Sequence, residues 1–142
     1  REVAQGAERS SEMTETTWQG RCHCGFVRFA VVADIDHVRL CNCSVCHQRG
    51  ALTFRGPDAA LSLQTLLDQL NLYEWGSGTA KDYFCPRCGI LPFRRPSAPT
   101  AQERAMGVEP FDGWAINTRC LTGFDPDSVP VRRIAGRDIA LD

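Results

Sequence analysis

Seven of the eight cysteines in this 142-residue chain fall into three tight clusters. The clusters are Cys22-His23-Cys24, Cys41-Asn42-Cys43-Ser44-Val45-Cys46 and Cys85-Pro86-Arg87-Cys88. A Cys-x-Cys in an extended strand directs both sulfurs to one side, because side chains alternate along a strand, and a Cys-x-x-Cys does the same around a tight turn. This spacing constrains the fold strongly, since distant parts of the chain must meet wherever the sulfurs share a partner.

The partner that best fits these clusters is zinc. Zinc takes four thiolates at about 2.3 Å in a closed structural site, whereas a catalytic site keeps one position open for water or substrate. In the last cluster Pro86 presets φ for a turn, and the following Gly89 is able to adopt positive φ at its exit. Two pairs and one triplet therefore predict one closed and one open site, but the spacing leaves open which clusters combine.

Composition narrows the class of protein. A chain of 142 residues fits one domain with a modest core, which a metal would help to stabilise. The net charge of -1 implies no polybasic surface, so nucleic acid is not a predicted partner. The cysteine density is too low for a disulfide scaffold, and there is neither an apolar signal segment nor a membrane-length apolar run. We expect reduced thiols and a cytoplasmic location.

The order of residue types along the chain predicts strands rather than long helices. Residues 1–17 are polar and are predicted to be an N-terminal tail, so the zinc-binding domain is expected to span residues 18–142. Aromatic and β-branched runs between turn residues favour strands. The predicted strands lie within residues 18–32 (two strands joined at Gly25), 38–40, 51–54, 72–75, 81–84, 90–94, 113–121 and 131–134.

Two segments have a different pattern. Leu66, Leu67 and Leu70 have helical spacing, which predicts a short helix over residues 65–70. Residues 95–110 contain three prolines and few apolar residues, and this is typical of a long loop that acts as a lid or a contact surface. The fold class predicted from these patterns is mainly β, a small antiparallel domain held together by zinc with at most short helices.

Four motifs in this order resemble the family of glutathione-dependent formaldehyde-activating enzymes, which also contains centromere protein V and adopts the β-tent fold. The resemblance covers about residues 18–137 and is specific because all four motifs occur together. The motifs are Gly20-Arg21-Cys22-His23-Cys24-Gly25, Cys41-Asn42-Cys43-Ser44-Val45-Cys46, Phe84-Cys85-Pro86-Arg87-Cys88-Gly89 and Ala115-Ile116-Asn117-Thr118-Arg119-Cys120-Leu121.

The resemblance implies two zinc sites and a reaction. It implies a carbon-sulfur lyase that forms or cleaves an S-hydroxymethyl adduct between formaldehyde and a small thiol such as glutathione. The composition, as above, predicts neither a nucleic acid nor a membrane partner. The open zinc would be the catalytic site, with its fourth position left for water or a substrate sulfur. The implied ligands are Cys22, Cys24, Cys85 and Cys88 for the structural zinc and Cys41, Cys43 and Cys46 for the second zinc.

Several alternatives remain open at the level of sequence. Cys120 is either an inert core residue or a fourth thiolate that would close the second site. His47 is a candidate ligand or proton shuttle, and Arg49 and Arg55 are candidate ligands for a substrate carboxylate or else solvated surface residues. The alternative function is a zinc-stabilised binding module of β-tent fold without catalytic turnover.

Overall fold

The computed structural model describes residues 15–75, 78–96, 98–109 and 111–135. These residues form ten strands, two short α-helices and four 3-10 turns. The elements are β1 Thr16–Arg21, β2 Arg28–Ala33, β3 Val38–Cys41, α1 Ser44–Arg49, β4 Thr53–Pro57, β5 Leu61–Leu63, β6 Asn71–Tyr73, β7 Lys81–Phe84, β8 Phe93–Arg95, α2 Ala101–Ala105, β9 Gly113–Asn117 and β10 Val131–Ile134. The predicted fold class is confirmed. No helix in these ranges is long and apolar enough to cross a membrane.

The strands form two sheets. One has three strands in the order β1-β2-β5, and the other has seven in the order β10-β3-β4-β9-β8-β7-β6. Neighbouring strands are antiparallel, as predicted, with the exception of β10, which pairs with β3 in parallel. The parallel pair brings the chain's last described strand alongside the strand that ends at Cys41, so it borders the second cysteine cluster.

The core lies between the three-stranded sheet and the inner face of the seven-stranded sheet. On the inner face, Phe54, Ile116, Phe93 and Tyr83 oppose one another in register across four strands. Phe29 of β2 packs edge-on against Phe93 with ring centroids 5.3 Å apart, and neither ring is exposed to solvent. Burial of each such side chain contributes about 1.5–3 kcal/mol, so this contact is a main link between the sheets.

The outer face of the seven-stranded sheet is polar. Side chains alternate between the two faces along a strand, so the residue next to each core residue in sequence lies on the outer face. Arg55, Ala115, Arg94 and Asp82 therefore form a cross-strand row on the outer face, in register from β4 to β7. The helix α1 reaches this face through a contact between Arg49 and Asp82.

The predicted helix over residues 65–70 is wrong in length, since only a 3-10 turn forms at Leu67–Gln69. Thr65 is committed elsewhere: its hydroxyl donates to the carbonyl of Phe26 and accepts from the amide of Arg28, each at 2.9 Å. Hydrogen bonds of this kind compete with helix formation. The chain at Thr65 is therefore attached to the start of β2.

Two helices occur where the sequence predicts none. The spacing of Cys43 and Cys46 predicts a tight turn, but the chain forms the helix α1 there. This helix spans Ser44–Arg49, and Gly50, with φ +66°, is its C-cap. The predicted loop over residues 95–110 contains α2, whose capping box joins the Thr100 hydroxyl to the Glu103 amide and the Glu103 carboxylate to the Thr100 amide. Such a Thr-x-x-Glu pattern was readable in the sequence.

Strand ends differ from the predicted ones by a few residues. The predicted strand over 113–121 stops at Asn117, because the Thr118 hydroxyl donates to the Leu52 carbonyl at 2.6 Å and a 3-10 turn follows. The predicted strand over 90–94 begins only at Phe93, since Ile90 still accepts a hydrogen bond from the Cys85 amide. Residues 1–14 of the predicted tail and residues 136–142 of the predicted domain lie outside the described residues.

We predict that Gly20→Ala destabilises the fold. Gly20 lies opposite Phe29 in the β1-β2 pair, and a Cβ added at Gly20 would overlap the Phe29 ring, which is fully buried. Overpacking of this kind costs about 1–3 kcal/mol, to be measured as a lower free energy of unfolding in urea. The neighbouring exposed change Gln19→Ala is the control and should stay within about 0.5 kcal/mol of the parent. Equal stability of the two variants would contradict the prediction.

Candidate metal centres

The first cysteine cluster joins the turn after β1 to the turn after β7. Its members are Cys22, Cys24, Cys85 and Cys88, and all four sulfur atoms lie within 4.8 Å of one another. The sulfur of Cys24 is 3.7 Å from that of Cys22 and 3.6 Å from that of Cys85. Four sulfurs at 2.3 Å around a tetrahedral zinc are about 3.8 Å apart. The cluster is therefore spaced to hold one metal ion.

Backbone amides surround these sulfurs. The amide of Val27 donates to the Cys22 sulfur at 3.2 Å, and the amides of Arg87 and Cys88 donate to the Cys85 sulfur at 3.3 and 3.4 Å. Hydrogen bonds to the charged form favour that form. These donors stabilise thiolates, which are the protonation state that a metal requires.

Glycines shape both turns of the first cluster. Gly25 has φ +84° and Gly89 has φ +81°, a conformation that other residues adopt only with strain. The amide of Gly25 donates to the Cys22 carbonyl at 3.1 Å, and that of Gly89 donates to the Cys85 carbonyl at 2.9 Å. The predicted positive φ at Gly89 is confirmed. Cys22 and Cys24 lie in the turn between β1 and β2, as two strands joined at Gly25 predict.

The pKa values of two thiols in this cluster diverge. Although burial opposes the change, amide hydrogen bonds from Ile90 and Cys24 lower the pKa of Cys88 to about 6. For Cys24, the amide of Phe26 favours ionisation, but burial and the neighbouring sulfur of Cys85 prevail and raise its pKa to about 11. The four thiols are close together and titrate as a coupled group, and a bound cation would favour the thiolate form of each.

The second cluster lies where β3 passes into α1. Cys41 ends β3, Cys43 is the N-cap of α1 and Cys46 belongs to the helix, and their sulfurs lie within 4.8 Å of one another. Among the described residues, no fourth cysteine, histidine or carboxylate joins this group. A hydrogen bond with Cys41, followed by burial, raises the pKa of Cys46 above its ordinary range. The cluster offers three soft ligands to a metal.

The cysteines group into the same two sets that the family resemblance implies. Cys120 does not join the second set. It is buried and lines the same cavity as Cys22 of the first cluster, and burial raises its pKa to about 12. The alternative in which Cys120 closes the second cluster therefore has no support in the geometry. No pair of the eight cysteines forms a disulfide.

A cavity borders the second cluster. It has a volume of about 460 Å³, and its lining includes Cys41, Cys46, His47 and Arg133. A larger cavity of about 770 Å³ borders Cys22 of the first cluster. Of the two clusters, only the second lacks a fourth ligand among the described residues. His47 is exposed at the smaller cavity, and its predicted role as ligand or proton shuttle stays a prediction.

A buried carboxylate, Asp82, fixes the helix that carries Cys46. Asp82 has no solvent exposure and accepts hydrogen bonds from Arg49 Nη2 at 2.9 Å, Arg94 Nε at 2.6 Å and Trp75 Nε1 at 3.3 Å. The predicted substrate ligand Arg49 is thus engaged in an ion pair that attaches α1 to the sheet. Asp82 was not predicted from the sequence; its one signal is an acidic residue in the middle of a predicted strand.

Arg55 lies on the outer face with part of its side chain in solvent. Its guanidinium is 5.0 Å from the centre of the Phe111 ring. Despite that exposure, desolvation by surrounding atoms, reinforced by the charges of Arg39 and Arg94, lowers the pKa of Arg55 to about 10. The guanidinium stays protonated at neutral pH, so its predicted role as a carboxylate ligand is chemically available.

We predict that the loss of a ligand from the first cluster destabilises the fold more than the loss of a ligand from the second cluster. Cys88→Ser should remove one zinc per chain and most of the fold's stability, because zinc binding in a closed site contributes on the order of 10 kcal/mol to folding. Cys46→Ser should also remove one zinc but leave the sheets folded. The measurements are metal content by mass spectrometry and thermal unfolding by circular dichroism. Equal thermal stability of the two variants would mean that the clusters do not divide into structural and open sites.

We predict that Asp82→Asn weakens the second cluster more than the first. Loss of the buried charge leaves Arg49 and Arg94 without their counter-ion, which should cost about 3 kcal/mol of unfolding free energy. Because α1 loses its attachment, the affinity of the Cys46 cluster for zinc should fall while the other zinc stays bound. Competition with a chromophoric chelator measures both affinities, and a uniform loss at both sites would contradict this role for Asp82.

Comparison with known proteins agrees with this arrangement. The family model described as glutathione-dependent formaldehyde-activating enzyme matches residues 17–113, a range that contains both clusters. The chain is also similar to a crystal structure of a Rhodobacter sphaeroides protein, with a TM-score of 0.62 and 30% sequence identity over 80% of this chain and 98% of that chain. The protein belongs to the family of glutathione-dependent formaldehyde-activating enzymes.

Proposed function

We propose that this protein is a zinc-dependent carbon-sulfur lyase that forms or cleaves an S-hydroxymethyl adduct of a small thiol such as glutathione. The observation that carries the proposal is the contrast between its clusters. Four cysteines form one complete ligand set, whereas three form the other, and the second set borders a cavity. An incomplete ligand set beside a cavity leaves a position at which a substrate can reach the metal.

The ligand chemistry of both clusters fits zinc. Thiolates are soft ligands that select zinc over the hard cations magnesium and calcium. Cys41, Cys43 and Cys46 would hold the ion of the open site. When bound there, zinc supplies Lewis-acid stabilisation for the negative charge of a substrate sulfur at neutral pH.

The reaction needs little from the protein beyond binding and proton exchange. The substrate sulfur forms a bond to the carbonyl carbon of the aldehyde, the π electron pair of the carbonyl passes to its oxygen, and that oxygen takes a proton. The proton of the thiol leaves for solvent, and the reverse reaction breaks the same carbon-sulfur bond. His47 lines the cavity and is exposed, so its imidazole is placed to donate or accept a proton there.

The environment of Cys43 supports an ordered site. Cys43 is buried, and as the N-cap of α1 its carbonyl accepts from the amide of His47 at 2.8 Å. The helix end is closed by Gly50, whose amide donates to the Cys46 carbonyl at 2.8 Å. Ligands on fixed backbone lose little freedom when they bind a metal, so the cluster is preorganised.

We predict that Cys43→Ser abolishes catalysis without unfolding the protein. The assay measures exchange between S-hydroxymethylglutathione and free formaldehyde by NMR on the zinc-loaded protein. The parent should exceed the spontaneous rate, and Cys43→Ser should lose about 100-fold or more, the scale expected when one transition-state stabilising group is removed. Arg104→Gln on the exposed part of α2 is the matched control and should keep the parent rate.

Two results would contradict the proposal in different ways. Two zincs and unchanged exchange in Cys43→Ser would mean that this cluster is not the reaction site. No acceleration by the parent, with glutathione or any other thiol tried, would favour the alternative of a zinc-stabilised binding module.

A further inference from the structure

We infer that a groove between α1 and the edge strand β6 is an interaction surface, which binds an extended acidic segment of a partner protein. This inference goes beyond the proposed function, because it needs neither the second cluster nor a thiol. Three cavities of about 770, 470 and 350 Å³ adjoin one another there and share Arg49 as a lining residue. The groove that they form is lined by Trp75 and Tyr73 at one end, by Arg49 and Leu91 in the middle and by Ile90 and Arg119 at the other end.

Strand register explains why part of the groove is apolar. Within the described residues, β6 is the last strand of the seven-stranded sheet and pairs with β7 alone. Tyr73 lies opposite Asp82, and Phe84 follows Asp82 by two residues, so both rings lie on the outer face to which α1 is attached. Tyr73 is 49% exposed, and its neighbour Leu72 and the nearby Ile90 are 45% and 37% exposed. Large apolar side chains exposed along one groove are typical of an interaction surface.

The charged residues of the groove are all basic. Arg21, Arg49 and Arg119 line it, and none of its described lining residues is an aspartate or a glutamate, although the chain contains 17 of these. Across the described ranges, neither Arg21 nor Arg119 forms an ion pair with a carboxylate. Since the whole chain has a net charge of -1, this positive charge is local, and the groove is complementary to acidic side chains.

Two of these arginines are held in position by the protein. Arg21 Nε donates to the Cys22 carbonyl at 3.2 Å, and Arg21 Nη2 donates to the His23 carbonyl at 3.1 Å. Arg49 Nη2 donates to Asp82, whereas Arg49 Nη1 is buried and has no hydrogen-bond partner among the described residues. Buried donors in proteins are normally paired. An acceptor from a partner would therefore stabilise Arg49 at the point where the three cavities meet.

The division of the groove into separate cavities favours an extended peptide over a small rigid ligand. Extended segments are commonly recognised beside exposed sheet edges, where pockets accept alternate side chains. A small ligand would fill one cavity only. A segment that places apolar side chains beside Tyr73 and Ile90 and a carboxylate beside Arg119 uses all three.

The test uses a displayed library of random, cysteine-free octapeptides, selected against the zinc-loaded full chain. Selected peptides should combine apolar residues with aspartate or glutamate. The most enriched peptide is synthesised with a fluorescein label, and its Kd is measured by fluorescence anisotropy. Arg119→Glu and Tyr73→Ala should each raise this Kd about tenfold, as expected for residues at the centre of an interface. The matched controls Arg104→Glu and Met106→Ala, exposed on and beside α2, should change it less than about twofold.

Selection of peptides without acidic residues, equal Kd values for the parent and Arg119→Glu, or no binder at all would overturn the inference. Analytical ultracentrifugation tests the other occupant: a parent dimer that Tyr73→Ala converts to a monomer would mean that a second copy of the chain fills the groove. Because peptide binding is measured without thiol or aldehyde, its result is independent of the exchange assay. Either the interaction surface or the proposed function can therefore fail while the other stands.

Discussion

The structure depends on the meeting of two turns that are more than sixty residues apart in sequence. Cys22 and Cys24 leave the three-stranded sheet, and Cys85 and Cys88 leave the seven-stranded sheet, yet their sulfurs lie within 4.8 Å of one another. A small domain buries a limited apolar area, so a metal at this junction would add a link that the Phe29-Phe93 contact cannot supply alone. The rest of the fold is arranged on either side of that junction.

The second cluster is held in place by different contacts. Its ligands lie on one continuous piece of chain, from the end of β3 into α1, and the helix is attached to the sheet by the ion pair of Arg49 with Asp82. A buried carboxylate between two guanidiniums adds little net stability, because desolvation of the charges offsets their attraction. Removal of one partner is costly, since it leaves uncompensated buried charge, and the pair therefore fixes the position of the helix. The first cluster therefore connects the two sheets, whereas the position of the second cluster is determined by the surrounding fold.

Sequence reasoning reached the fold class, most strands and the cysteine clusters, because each depends on local spacing. It missed α1, since Ser44, Val45 and His47 are poor helix formers and the helix is defined by Gly50 and by contacts to the sheet. It also missed Asp82, whose role arises from its position opposite Arg94 across the sheet. Which residues oppose each other across a sheet depends on pairings that no single strand reveals.

The central claim is that one cluster is closed and the other is open to a thiol. Zinc X-ray absorption on the purified protein, with zinc content per chain and with and without glutathione, tests it most directly. We expect two zincs that share seven cysteine sulfurs, and a sulfur count that rises when glutathione is added. One zinc per chain, or two zincs already saturated with sulfur and indifferent to glutathione, would contradict it.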